Sequence, residues 1–377
     1  MTNLWKEVER LGQSLWYDNL GRSFITSGKI AGMIGELGLR GITSNPSIFE
    51  KSITGSNEYD ADIQKAIRDG LTTSEIYERL TTDDVRNAAD VMRPVFDRTK
   101  GIDGYVSIEV EPKLANNTDG SIEAARRLWK TVNRPNVMIK IPGTPEGILA
   151  IRQCLSEGIN INITLLFGIE NYTDVAHAYL DALRDRKKRR EDISKIASVA
   201  SFFLSRVDTN VDAKLQAKIG SSNGNASNIQ SLFGKAAVAN AKVAYERYRE
   251  IFNGSDFAEL KSAGAMPQRC LWASVSTKNA KYSDVMYIEP LIGPETVSTV
   301  PDETITAFAD HGKAADTLAT GIRDAHDTID QLRAIGIDTE QVAAELQIEG
   351  VKKFVDAFGS LAGNLDKKRH AMEAVLS

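Results

Sequence analysis

"NVMIKIP", residues 136–142, decides how the chain is read. Val137, Ile139 and Ile141 share one face of a two-residue repeat, while Met138, Lys140 and Pro142 share the other. That alternation predicts a β-strand. A lysine in the middle of it is expensive: an ammonium out of water costs on the order of several kcal/mol unless it is paired or loses its proton. The position calls for a chemical reason.

Seven further strand-like runs surround this one: "SLWYDNL" (14–20), "LRGITS" (39–44), "GYVSIEV" (104–110), "INITLLF" (161–167), "KIASVASFF" (195–203), "RCLWASV" (269–275) and "VMYIEPLI" (285–292). Segments with apolar residues at helical spacing separate them, including 73–99, 121–132, 145–155 and 234–252. Pro94 falls inside the first, where a bend or interruption is expected. Strands alternating with helices predict an α/β fold, a (β/α)8 TIM barrel with additional C-terminal helices. An open doubly wound sheet is the alternative, weakened by the lack of a G-x-G-x-x-G after the first strand. The expected organisation is one barrel domain over 1–377, with a flexible Gly/Ser/Asn-rich insertion at 220–231 and a helical extension from about 312. Val351, Phe354 and Phe358 follow helical spacing, so one face of that extension packs on the barrel or on a partner subunit. "RDRKKRRED" (184–192) reads as a solvated helix end and loop.

Bulk composition narrows the function. The 377 residues carry a formal net charge of −5, which argues against a nucleic-acid partner. No run approaches the ~20 apolar residues of a membrane span, and "MTNLWKEVERLGQ" lacks a signal-peptide core. Two distant cysteines, Cys154 and Cys270, suggest a reducing, cytoplasmic setting. The four histidines share no ligand spacing with each other or with cysteine, so no metal site is expected.

Lys140 is one of several polar residues on these strands. Ser107 and Glu109 share a face, as do Asn162 and Thr164; Asp18, Thr43, Asn45 and Ser201 stand near strand ends, with Phe203 and Arg206 just beyond Ser201. In a parallel barrel the outer faces are covered by helices and want apolar residues. The polar side chains then point inward, and near the C-terminal ends of the strands they line the active site. Each has a plainer reading: Lys140 as a structural partner of Glu109, Asp18 as a cap, Asn45 before Pro46 as a turn. Those readings would have to coincide on six strands. A neutral amine among apolar neighbours attacks a carbonyl and forms a Schiff base, which lets an adjacent carbon–carbon bond break without a metal. Asp18 and Glu109 are the acids available to move protons. Arg206 and Lys278, just past strand ends, are candidates for a phosphate.

The segments "YDNL", "GITSNPSIFEKSI", "VSIEVEPKLA", "VMIKIPGTPEG", "INITLLF" and "ASFFLSRVD", in that order, resemble the transaldolase family. The tail and "TVSTVPDETITAFADHG" are similar to its longer bacterial form. The resemblance implies a cofactor-free transfer of a dihydroxyacetone unit from a ketose phosphate (sedoheptulose 7-phosphate or fructose 6-phosphate) to an aldose phosphate (glyceraldehyde 3-phosphate or erythrose 4-phosphate), in the non-oxidative pentose phosphate pathway. By motif it implies Lys140 as the Schiff-base lysine, Asp18 as the acid/base in cleavage, and Glu109 and Thr164 around the catalytic water. Asn45 and Asn162 match hydroxyl-binding positions, and Ser201 and Arg206 match substrate and phosphate contacts. Thr43, Ser107 and Phe203 are counted with the substrate-binding set. One departure stands out: the shorter transaldolases have an arginine after "ASF" on the seventh strand, whereas this chain reads "ASVSTKN", leaving Lys278 as the nearest cation. The subunit number stays open between monomer and homodimer. The rival within the superfamily is a fructose-6-phosphate aldolase, which tends to carry glutamine where Glu109 stands and tyrosine where Phe203 stands. A barrel isomerase leaves Lys140 unexplained, and a non-catalytic barrel leaves the whole set unexplained.

Overall fold

The computed structural model of the protein describes residues 3–219 and 226–376. Eight parallel strands close into a barrel in sequence order: β1 (Gln13–Tyr17), β2 (Gly41–Ile42), β3 (Tyr105–Glu109), β4 (Val137–Pro142), β5 (Ile161–Leu166), β6 (Ser198–Phe203), β7 (Arg269–Ala273) and β8 (Thr296–Val300). β8 pairs with both β7 and β1, which leaves no open edge. The barrel is the expected TIM architecture; β1 starts one residue before its expected run, and six other strands fall within theirs.

The eighth does not. "VMYIEPLI" was expected as a strand, but it forms a packed loop with a 3-10 turn at Glu289–Leu291, and β8 is the "TVSTV" that follows. Pro290 explains the difference, because it removes a ladder donor from the middle of the run. The apolar residues of that loop are still buried: Val285, Tyr287, Ile288, Leu291 and Ile292 all join the core. Burial, not pairing, is what their hydrophobicity reports.

Helices cover the outside, and their ends carry ordinary signals. Thr72 and Glu75 form a capping box that starts the helix Thr73–Arg98. Pro94 lies inside that helix and does not end it. Pro94 and Asp90, whose carbonyl the proline leaves without a donor, both face water, which satisfies the orphan. Thr144 caps Pro145–Glu157, and Gly158 (φ +95°) closes it in the left-handed region. The charge run 184–192 is the solvated end of Ile169–Lys188 and the loop after it, laced by Lys187–Glu259 and Arg189–Glu191 pairs. Of the stretch 220–231, residues 226–230 form a short helix with Ile229 buried, in place of the free loop expected there. Residues 220–225 lie outside the described residues.

After β8 come the helices Asp302–His311, Ile322–Ala334 and Thr339–Leu376. The last is a single helix of 38 residues lying across the C-terminal end of the barrel. Gln347 donates to the carbonyls of Gly143 (2.9 Å) and Leu165 (3.2 Å), just past β4 and within β5. Phe358 meets Tyr77 edge to face at 5.2 Å, and Lys368 pairs with Asp60 at 2.6 Å. Among the described residues no helix is long and apolar enough to cross a membrane.

Inward-pointing side chains fill the barrel in layers. At the N-terminal end Arg269 donates to Ser14 (2.9 Å), to the Ile102 carbonyl (2.7 Å) and to Asp103 (2.8 Å). Trp16 lies above, its indole donating to Asp103 at 3.3 Å. Opposite it β2 carries Gly41, where an added Cβ would come within 2.4 Å of the Trp16 ring. Gly41→Ala is therefore expected to lower the unfolding free energy by about 1–3 kcal/mol through overpacking. Gly35→Ala, at an exposed position of the helix Lys29–Glu36 with open space around it, is expected to raise it by up to about 1 kcal/mol. Urea unfolding of both variants checks the pair.

Candidate active site

The ladder register builds the site. Glu109 stands opposite Lys140, Lys140 opposite Asn162, and Pro142 opposite Thr164 across β3, β4 and β5. At the C-terminal ends of the strands these faces open into a cavity of about 230 Å³. Asp18, Thr43, Asn45, Lys140, Thr164, Ser201, Phe203, Arg206 and Lys278 line it.

Lys140 reaches the cavity, while Glu109 stays off its lining and pairs with Lys140 from beside it. Their side chains are 7% and 6% exposed, and Lys140 Nζ lies 3.6 Å from Glu109 Oε2. At that length the contact is an ion pair without a hydrogen bond. Lys140 Nζ spends one proton on the Ser44 carbonyl at 3.0 Å. Both Glu109 oxygens are buried with no hydrogen-bond partner among the described residues. Burial therefore pushes the Glu109 carboxyl above the ordinary carboxylate range, against the opposing pull of Lys140. Asp18 is raised for the same reason, again opposed by Lys140 and by the Thr43 hydroxyl, which donates to Asp18 Oδ1 at 2.8 Å. A lysine beside two carboxyls that burial makes reluctant to ionise is an arrangement suited to moving protons.

The remaining residues fall at different depths. Ser201 donates to Asn162 Oδ1 (2.7 Å), and Asn162 donates to Ser107 Oγ (3.0 Å). Only Ser201 of this chain reaches the cavity; Asn162 and Ser107 are fully buried beneath it. Thr164 sits on the wall, its hydroxyl buried and unpartnered. It precedes Leu165, which adopts φ +59° at a register shift between β5 and β6. Asn45 caps the helix Pro46–Thr54, accepting from Ile48 N–H at 3.0 Å through its carbonyl oxygen, and also lines the cavity. Arg206, at the start of the helix Ser205–Ile219, lies 5.3 Å from the Phe203 ring centroid and 5.9 Å from that of Phe354. Lys278 is exposed at the rim and donates to Ser276 at 2.7 Å.

Several members of the site escaped the sequence. Ser44 acts through its main-chain carbonyl, which no side-chain pattern marks. Thr299, whose hydroxyl meets that of Thr43 at 2.6 Å, belongs to the strand that was misplaced. The β-branched alternation of "TVSTV" was the signal for it. Ser276, Glu303 and Phe354 reach the cavity from loops and helices distant in sequence. A larger cavity of about 720 Å³ opens at the opposite, N-terminal end, but its Arg269 is consumed by Ser14, Ile102 and Asp103. That arrangement braces the barrel.

Residues 15–365 match the sequence profile of the family described as transaldolase/fructose-6-phosphate aldolase. The chain belongs to that family. It is 47% identical over 372 residues to a protein named transaldolase from Trichodesmium erythraeum, covering 98% of each chain. It is 48% identical over 367 residues to a transaldolase 2 from a Nostoc species, covering 96% of each. A transaldolase of Thiobacillus denitrificans shares 45% over 363 residues, 96% of this chain and 99% of that one. This member of the transaldolase/fructose-6-phosphate aldolase family is thus an enzyme.

The raised Glu109 carboxyl has a measurable sign. In the folded chain it binds its proton at higher pH than in the unfolded chain, where the ordinary value is 4.5. Stability from this group is present below that value and lost as pH rises through the folded one. Glu109→Gln, which cannot ionise, should melt above the parent at pH 8, and the difference should close as pH falls toward 4. A lower melting temperature at pH 8 would show the pair with Lys140 outweighing burial.

Proposed function

We propose that the protein is a transaldolase, moving a dihydroxyacetone unit from a ketose phosphate to an aldose phosphate through a Schiff base on Lys140. The observation that carries this is the placement of the nearly buried Lys140 amine at the cavity, 3.6 Å from Glu109 and sharing that cavity with Asp18. The high identity to proteins named transaldolase, over nearly the whole chain, supports the same reaction. The aldolase alternative is not favoured by those relatives, nor by the glutamate at 109 and phenylalanine at 203.

In this reading the neutral Lys140 amine attacks the C2 carbonyl of the ketose and forms a carbinolamine. Loss of water, with Glu109 and Thr164 holding that water and its proton, gives the protonated imine. Asp18 then takes the proton of the C4 hydroxyl. The C3–C4 electron pair flows into the imine, the aldose phosphate leaves, and a three-carbon enamine stays on Lys140. An incoming aldose phosphate accepts C3 at its carbonyl carbon, Asp18 returns its proton to the new alkoxide, and water releases the product ketose. Asn45 and Ser201 hold substrate hydroxyls, with Asn162 and Ser107 fixing Ser201 from behind and Thr43 orienting Asp18. Phe203 walls the cavity, and Arg206 with Lys278 at the rim takes the phosphate.

Borohydride trapping with fructose 6-phosphate, followed by peptide mass mapping, tests the covalent step. A reduced three-carbon adduct on the peptide containing Lys140 is expected, and Lys140→Met should abolish both adduct and turnover. A folded parent enzyme that traps nothing would end the Schiff-base reading. Asp18→Asn should keep imine formation but lower kcat by about 10²–10⁴-fold, the range for loss of a general acid/base. Near-parental kcat would remove Asp18 from cleavage.

A further inference from the structure

Phe354 belongs to the C-terminal helix Thr339–Leu376, which follows the complete set of eight strands. It nevertheless lines the catalytic cavity. The helix delivering it is held on both sides of that residue. Before it, Glu340 accepts from Ile169 N–H at 2.8 Å and Gln347 clips Gly143 and Leu165. After it, Phe358 packs on Tyr77, and Asn364 donates to Glu50 at 3.2 Å. The ring at 354 thus has little freedom to leave the mouth.

Arg206 is its neighbour there, and Arg206 has an unusual environment for a half-buried guanidinium. Among the described residues its Nη1 is buried without a hydrogen-bond partner. Two aromatic rings lie beside it, Phe203 from β6 and Phe354 from the C-terminal helix, and the Glu349 carboxylate acts on it from beyond ion-pair distance. A carboxylate in their place would order the cation but would also compete with an incoming phosphate for its N–H groups. An aromatic face attracts the cation through the ring quadrupole and takes none of its donors. The guanidinium is ordered in advance and arrives with its fork unspent, which lowers the entropy cost of gripping a phosphate.

We infer that Phe354 is a positioning residue for Arg206, and that through it the C-terminal helix sets the preference of the site for phosphorylated over unphosphorylated sugars. This rests on the reading of Arg206 as a phosphate ligand. Phe354 need touch no reacting atom, so its effect belongs in KM for phosphorylated substrates and not in the chemical step.

The test compares KM and kcat for fructose 6-phosphate and for fructose as donors, with inhibition by inorganic phosphate as a direct probe of the anion contact. Phe354→Ala should raise KM for fructose 6-phosphate and Ki for phosphate about tenfold, mid-range for a partly desolvated cation–aromatic contact. It should leave kcat and the fructose KM within about twofold. Phe354→Tyr should restore the parental values, and Phe354→Leu, which keeps apolar bulk without the ring, should not. Should the alanine variant fail to fold by thermal melting, the leucine variant carries the measurement. Arg206→Ala, run alongside, separates the two claims. If it is selective for the phosphorylated donor and the Phe354 variants are not, or if they impair both donors equally, the positioning role is overturned. If Arg206→Ala is itself unselective, the phosphate assignment fails first and the inference falls with it.

Discussion

An amine held out of water beside a carboxylate is a standing cost, and the architecture around Lys140 is what sustains it. Taking two charges out of water costs several kcal/mol each, even after relaxation, and a 3.6 Å contact returns only part of that. The pair persists because neither group can move. Glu109 and Lys140 face each other through the β3–β4 register, and that register is fixed by apolar outer faces that a one-residue slip would turn inward. Val106, Ile108, Val137, Ile139 and Ile141 are all buried under the surrounding helices. Helix packing on the outside is thus the force that holds the charged floor on the inside.

The barrel interior follows the same logic from end to end. At the N-terminal end Arg269, Asp103 and Ser14 satisfy one another, so polarity there braces the closure. In the middle the Ser107–Asn162–Ser201 chain leaves one hydroxyl at the cavity. At the C-terminal end Glu109, Thr164 and Arg206 keep buried polar atoms with no protein partner. Such atoms are costly in a resting fold and useful in a site that receives a polyhydroxylated, charged substrate. Asn136 and Gln268, just before β4 and β7, and Ser298 within β8 also hold such atoms, so unpartnered polarity is not confined to one end of the barrel.

The C-terminal helix adds a constraint that the barrel alone lacks. By clipping Gly143 and Leu165 through Gln347 it fixes the ends of β4 and β5, the strands that carry Lys140 and Thr164. Leu165 needs that support, since a left-handed backbone at a leucine costs on the order of 1–3 kcal/mol and persists only where its surroundings hold it.

Much of this was legible in the order of residues. Alternation with a period of two exposed Lys140, Glu109, Asn162 and Thr164 as one inward set, because only a strand converts sequence parity into a common face. Repetition of strand and helix then gave the barrel, and the barrel pointed to the C-terminal strand ends as the place for a site. Where the pattern failed, it failed for physical cause: "VMYIEPLI" is as apolar as a strand, but Pro290 forbids pairing, and hydrophobicity by itself records burial without saying how the backbone is satisfied. Depth along the barrel axis was also hidden. Parity places Ser107 and Asn162 on the inner face, yet only the stagger between neighbouring strands puts them beneath the cavity and Ser201 within it. The contributions of Ser44 and Phe354 required the fold itself. One acts through a carbonyl that every residue possesses, and the other crosses more than a hundred residues of chain to meet Arg206. Local periodicity determines which faces are polar, whereas meetings between distant segments are decided by packing, and packing exists only once the chain has closed on itself.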